Sequence, residues 1–102
     1  MEHNKEEELK LYRNIGNNIK YYRLLYSLER NKLTQEKLAE QIDVSTAFIG
    51  NLESNKIKQG LSVYTLYKLS NVLNVSIDDF VAEPKIKVVN LKKCQIIWHF
   101  LF

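Results

Sequence analysis

Residues 33–54 read Leu33-Thr34-Gln35-Glu36-Lys37-Leu38-Ala39-Glu40-Gln41-Ile42-Asp43-Val44-Ser45-Thr46-Ala47-Phe48-Ile49-Gly50-Asn51-Leu52-Glu53-Ser54. Thr34 and Ser45 each stand where a hydroxyl can accept a bond from the unpaired N–H groups that open a helix. The pattern predicts one helix from Thr34 to about Ile42 and a second from Ser45 to about Ser54. Two or three residues between them leave no room for a long crossing, so the helices must meet steeply, as in a helix-turn-helix unit.

Working outward toward the N-terminus, Asn4 precedes Lys5-Glu6-Glu7-Glu8. An Asx cap followed by carboxylates suits the positive end of a helix dipole, and Glu7 holds the capping-box position. Leu11, Ile15, Ile19, Tyr22 and Tyr26 then recur at spacings of three and four, an apolar helical stripe. Gly16 costs a helix about 1 kcal/mol, and with Asn17 and Asn18 it leaves one helix or two as open readings. The polar run Glu29-Arg30-Asn31-Lys32 ends the stripe.

Downstream, Asn55 suits a left-handed cap, and the polar loop from Lys56 to Leu61 contains Gly60. Ser62 can cap a fourth helix with apolar positions Val63, Leu66, Leu69, Val72 and Leu73, which Asn74 ends. Ser76-Ile77-Asp78-Asp79-Phe80 reads as a capped last turn or a short fifth helix, and Pro84 closes the module. Lys85-Ile86-Lys87-Val88-Val89 has a strand-like pattern. The ending Ile96-Ile97-Trp98-His99-Phe100-Leu101-Phe102 is apolar enough to need covering. The expected organisation is a helical extension over 1–14, a core module over 15–83, and a C-terminal association segment over 84–102.

Composition sets the bounds. A chain of 102 residues with 45% hydrophobic content suffices for one compact domain, and three glycines with one proline supply too few breaks for an all-β fold. The net charge of +3 is unevenly spread: residues 1–14 hold three basic and four acidic groups, residues 15–84 hold eight of each, and residues 85–102 hold four lysines and no acid. A neutral middle does not by itself mark a nucleic-acid binder, so that case must rest on motif and local charge.

Cys94 is alone and reads as a packing residue. His3 and His99 lack the partners of a metal site, and no cofactor is implied. No secretory pattern follows Met1, and the terminal apolar run is far short of the roughly 20 residues that cross a bilayer, so a cytoplasmic protein without a membrane span is expected. Tyr12, Tyr21, Tyr22 and Tyr26 fit core or dimer packing better than a stacking platform for single strands. No Ser-His-Asp set, carboxylate pair or Gly-rich phosphate loop has supporting context, and an enzyme is not expected.

From Ile15 to Phe80 the chain resembles the Cro/C1 phage-repressor family of helix-turn-helix proteins, also called the Xre family. The resemblance is densest over Leu33–Ile42, Val44-Ser45, Ile49, Leu52 and Glu53. It implies an all-α, five-helix repressor-like domain in which Leu38, Ile42, Val44, Ile49 and Leu52 point inward and Ala39 sits at the closest approach of two helices. Asp43 and Asn55 stand where the family carries glycine, and both residue types tolerate the left-handed region. Relative to the family, Tyr21 to Asn31 carries about five extra residues, and the loop to Leu61 is a residue or two longer.

Carried over position by position, the resemblance implies that the helix after Ser45 enters the major groove, with Ser45, Thr46, Ala47, Gly50, Asn51 and Ser54 facing base edges. Thr46 and Asn51 can exchange hydrogen bonds with bases, and Ala47 can touch a thymine methyl. At Gly50 the usual polar side chain is missing. Gln35, Lys32, Lys56 and Lys58 are the implied phosphate contacts, and Arg23 with Glu53 the implied internal ion pair. The function expected is operator binding by a homodimeric transcriptional regulator, a repressor, with double-stranded DNA as partner. The rival is an antitoxin or anti-repressor that uses this fold to grip another protein, with the apolar tail as a further protein-binding segment.

Overall fold

The computed structural model describes residues 5–56 and 61–84. Five helices follow in order: α1 (Lys5–Glu29), α2 (Gln35–Ile42), α3 (Thr46–Glu53), α4 (Val63–Leu73) and α5 (Ile77–Val81). No strand occurs among the described residues, and the fold is all-α. The strand-like 85–89 segment, the apolar ending, Lys58, Gly60, Asn4, Cys94 and both histidines lie outside the described residues.

Hydroxyl caps set the start of each helix after the first. Thr34 accepts a bond from the Lys37 N–H, Ser45 from Phe48, Ser62 from Thr65 and Ser76 from Asp79, at 3.0–3.3 Å. Left-handed Asx residues set the ends of three. Asp43, Asn55 and Asn74 have φ of 59°, 63° and 56°. In each case the next amide reaches back to a carbonyl of the helix just ended: Val44 to Ala39, Lys56 to Asn51, and Val75 to Ser70. Asx side chains accept this conformation at lower cost than other non-glycine residues, so the bend between α2 and α3 forms without glycine.

α1 passes through residues 14 and 15 without a break, so residues 5–14 of the expected extension are the first part of one 25-residue helix. The Gly16-Asn17-Asn18 run, which left two helices open on sequence grounds, is instead where α1 meets the rest of the fold. A methyl group on Gly16 would lie 2.1 Å from the Leu52 carbonyl oxygen, so only glycine lets α1 and α3 approach this closely. Asn18, buried, donates to the carbonyls of Phe80 (2.7 Å) and Ala82 (2.8 Å), fastening the end of α5 to α1.

The core gathers Ile15 and Ile19 from α1, Leu38, Ala39 and Ile42 from α2, Ile49 and Leu52 from α3, Leu66, Leu69 and Leu73 from α4, and Phe80 from α5. Val44, between α2 and α3, is half-buried against it. Tyr12, Tyr22 and Tyr26 pack on this core, with Tyr22 edge-on to Phe80 at 6.0 Å, so three of the four α1 tyrosines serve packing. Tyr21 stands edge-on to Tyr22 at 5.0 Å.

Candidate nucleic-acid interface

An isolated eight-residue helix is unstable in water, so α3 needs its neighbours to hold both its helicity and its direction. Ile49 and Leu52 anchor one side in the core. The other anchor is ionic. Glu53, on the last turn, accepts from Arg23 Nε at 2.7 Å and from the second guanidinium nitrogen at 2.8 Å, a bidentate pair. Both side chains are almost wholly removed from water, at 8% and 2% exposure.

Both members of this pair have further partners. Arg23 donates a third bond to the Leu33 carbonyl at 3.1 Å, and Gln35 Nε2 donates to Glu53 at 3.0 Å. Ser27 Oγ accepts from the Leu33 N–H at 2.8 Å and so fixes the same residue from its other side. One network therefore ties α1, the entry to α2, and the end of α3. No buried side-chain nitrogen or oxygen lacks a partner among the described residues. A charge pair taken out of water is tolerable on those terms.

The outward face of α3 follows from this anchoring. Thr46 and Gly50 lie four residues apart, Ala47 and Gly50 three, so they share one side of the helix with Asn51 beside them. Thr46, Ala47 and Asn51 are exposed and Gly50 is half-buried. Ser45 and Ser54 are exposed too, but each has a local structural job. Ser45 accepts the Phe48 N–H as N-cap, and Ser54 donates back to the Gly50 carbonyl at 2.8 Å as the helix ends. The six residues therefore lie along α3 and its two ends, and two of them, Ser45 and Ser54, also bond to its backbone.

Of the candidate phosphate contacts, Gln35 is half-buried beside α3, and Lys32 and Lys56 are exposed. Lys32, Gln35 and Thr46 line one notch of about 600 Å³ between the end of α1 and the starts of α2 and α3, so these three share a surface. Lys56 lies past the other end of α3. Lys58 is not described.

Two structural residues escaped the sequence reading. Asn18 looked like a helix weakener, and nothing local to it signals bonds to residues more than 60 positions away. Lys68 on α4 drew no attention in the sequence, and its ammonium donates to the Ile42 carbonyl at the negative end of α2 and lies 4.7 Å from the Tyr64 ring centre.

A family model described as helix-turn-helix matches residues 24–80, more than half of the chain. The chain belongs to the Cro/C1-type helix-turn-helix family. It is thus a DNA-binding helix-turn-helix regulator. No curated protein and no solved structure matches it. The matched span begins at Leu24 and takes in the Leu33 anchor, α2, α3, α4 and Phe80, while most of α1 lies before it. No helix among the described residues is long and apolar enough to cross a membrane, and no group of three or more His, Cys, Asp or Glu gathers there as a metal would require.

Proposed function

We propose that the protein represses transcription by occupying an operator as a homodimer, with α3 in the major groove. The observation that carries this reading is the contrast between the two sides of α3. One side is locked by Ile49, Leu52 and the Arg23–Glu53 pair, while the other presents Thr46, Ala47, Gly50 and Asn51 with no packing role that explains them. Asn51 offers an amide that can bond an adenine edge, Thr46 a hydroxyl, and Ala47 a methyl contact. Gln35, Lys32 and Lys56 flank this face and fit the phosphates on either side, with Lys58 following Lys56 in the chain.

Dimerisation is supported by exposed apolar residues where the chain leaves the domain. Lys10 pairs with Glu83 at 3.1 Å, which puts the start of the C-terminal tail beside the first turns of α1. Leu9 and Leu11 are exposed in that same stretch. A two-fold pair of such domains would set two reading helices about 34 Å apart, one DNA turn.

Selection from a random-core duplex library followed by titration tests the reading. Asn51→Ala is expected to weaken binding to the selected site by about 1–3 kcal/mol while leaving random DNA nearly unchanged. Enrichment of no sequence would remove the operator reading and favour a protein-gripping role for the same fold.

A further inference from the structure

Arg13 stands on the part of α1 that precedes residues 24–80, the span shared with the family. It is exposed, and its side chain has no hydrogen-bond or ion-pair partner among the described residues. Its own helix offers none. The residues three and four away in each direction are Leu9, Lys10, Gly16 and Asn17, with no carboxylate among them. Lys10, by contrast, pairs with Glu83.

What lies beside Arg13 is the end of the reading helix. Gly16, one turn further along the same side of α1, is where α1 meets α3. A methyl there would lie 2.1 Å from the Leu52 carbonyl oxygen and 2.9 Å from Asn55 Oδ1. Arg13 lines a small cleft of about 100 Å³ with Leu9, Tyr12, Leu52 and Asn55. Asn55 follows α3 at φ 63°, and the exposed Lys56 comes next. Two cations therefore flank Asn55, Arg13 from α1 and Lys56 from the chain leaving α3. Glu53, the carboxylate nearest to Lys56 along the chain, is buried in its pair with Arg23, which leaves this corner positive.

We propose that Arg13 is a further phosphate-binding residue, gripping the sugar-phosphate strand that passes the end of α3 beside Lys56. The inference rests on the part of the reading above that lays α3 in the major groove. A helix in a groove about 12 Å wide has a phosphate strand along each border. A guanidinium suits the contact, because its fork of donors matches two phosphate oxygens at once and here gives up no protein partner to do so. α1 is fixed against α3 at Gly16, so the arginine is carried on a helix that moves with the reading head.

The test measures binding to a random duplex across a salt series for the unaltered chain, Arg13→Ala and Arg13→Lys, with thermal unfolding of each. Arg13→Ala is expected to flatten the log-affinity against log-salt slope by about one unit with an unchanged unfolding midpoint, and Arg13→Lys to keep the slope. A second measurement replaces single phosphates of the library-selected site with uncharged methylphosphonates. One replacement, at or next to the phosphate that Lys56→Ala no longer senses, is expected to weaken the unaltered protein and leave Arg13→Ala unaffected. An unchanged slope for Arg13→Ala would overturn the inference, assigning the arginine to solvent. A loss accompanied by a lower midpoint, and not restored by lysine, would overturn it by showing that Arg13 serves packing against α3. Identical methylphosphonate profiles for the two proteins would overturn it as well. If the unaltered protein enriches no site, the operator reading fails on its own, and the slope on random duplex still upholds or overturns the phosphate contact.

Discussion

Arg23→Ala is the perturbation that reaches furthest, because it acts on the network that holds α3 to the body of the domain. The substitution removes two bonds to Glu53 and one to the Leu33 carbonyl, leaving a carboxylate that is 2% exposed with Gln35 as its one remaining donor. Stranding one member of a buried pair costs about 3–5 kcal/mol. Domains of this size have total stabilities of about 5–15 kcal/mol, so the loss is a large share of the whole. At about 4–8 °C per kcal/mol, the midpoint is expected to fall by at least ~12 °C. Helical circular dichroism followed through heating and through urea reads the effect directly. The double variant Arg23→Met with Glu53→Gln separates charge from volume: with no stranded charge, it is expected to recover part of the loss. A fall of only a degree or two in the single variant would refute the reasoning, since the pair would then be solvated. A double variant no more stable than the single one would show that Arg23 acts through its packing and its bond to Leu33.

Gly16→Ala is expected to lower stability by about 1–3 kcal/mol despite alanine's better helix propensity, because the methyl collides with the backbone of α3; a higher unfolding midpoint would mean the close approach is not there. Lys32→Ala and Lys56→Ala are each expected to weaken binding to all DNA and to flatten the log-affinity against log-salt slope by about one unit, whereas an unchanged slope assigns the lysine to solvent. Removing residues 94–102 is expected to yield a folded monomer with much weaker operator binding, judged by sedimentation and titration together. A truncated chain that remains a tight dimer would move the interface to α1.

How much the sequence revealed depended on the range over which each signal acts. Thr34, Ser45, Ser62 and Ser76 cap helices that begin one residue later, and Asp43, Asn55 and Asn74 end three of them, because capping is decided within four or five residues. The inward faces of Leu38, Ile42, Ile49 and Leu52 were implied by the family resemblance, and all four are buried in the core. Gly16 and Asn18 were opaque. Their local cost is written in their residue types, but the compensating contacts lie with Leu52, Phe80 and Ala82, on helices whose placement no short window encodes. Gln35 was half legible: its position at the start of α2 suggested an anion, and its bond to Glu53 emerges only once α3 is in place.

That bond bears on how DNA contact and stability are linked in this domain. Gln35 already spends one amide hydrogen on Glu53, which also accepts two bonds from Arg23, so the glutamine arrives at the surface oriented rather than free to rotate. A phosphate meeting the start of α2 would find its donors set by a charge pair buried inside the fold. Pre-organisation of this kind lowers the ordering cost of binding, because a side chain fixed beforehand has less freedom to lose. We therefore expect Glu53, acting through Gln35, to affect DNA affinity without touching DNA. Losing its carboxylate charge weakens the hold on both Gln35 and Arg23, so Glu53→Gln should reduce affinity for selected and random DNA alike while Thr46 and Asn51 keep their preference among bases. A change in base preference with unchanged overall affinity would instead place Glu53 in the service of the reading face alone.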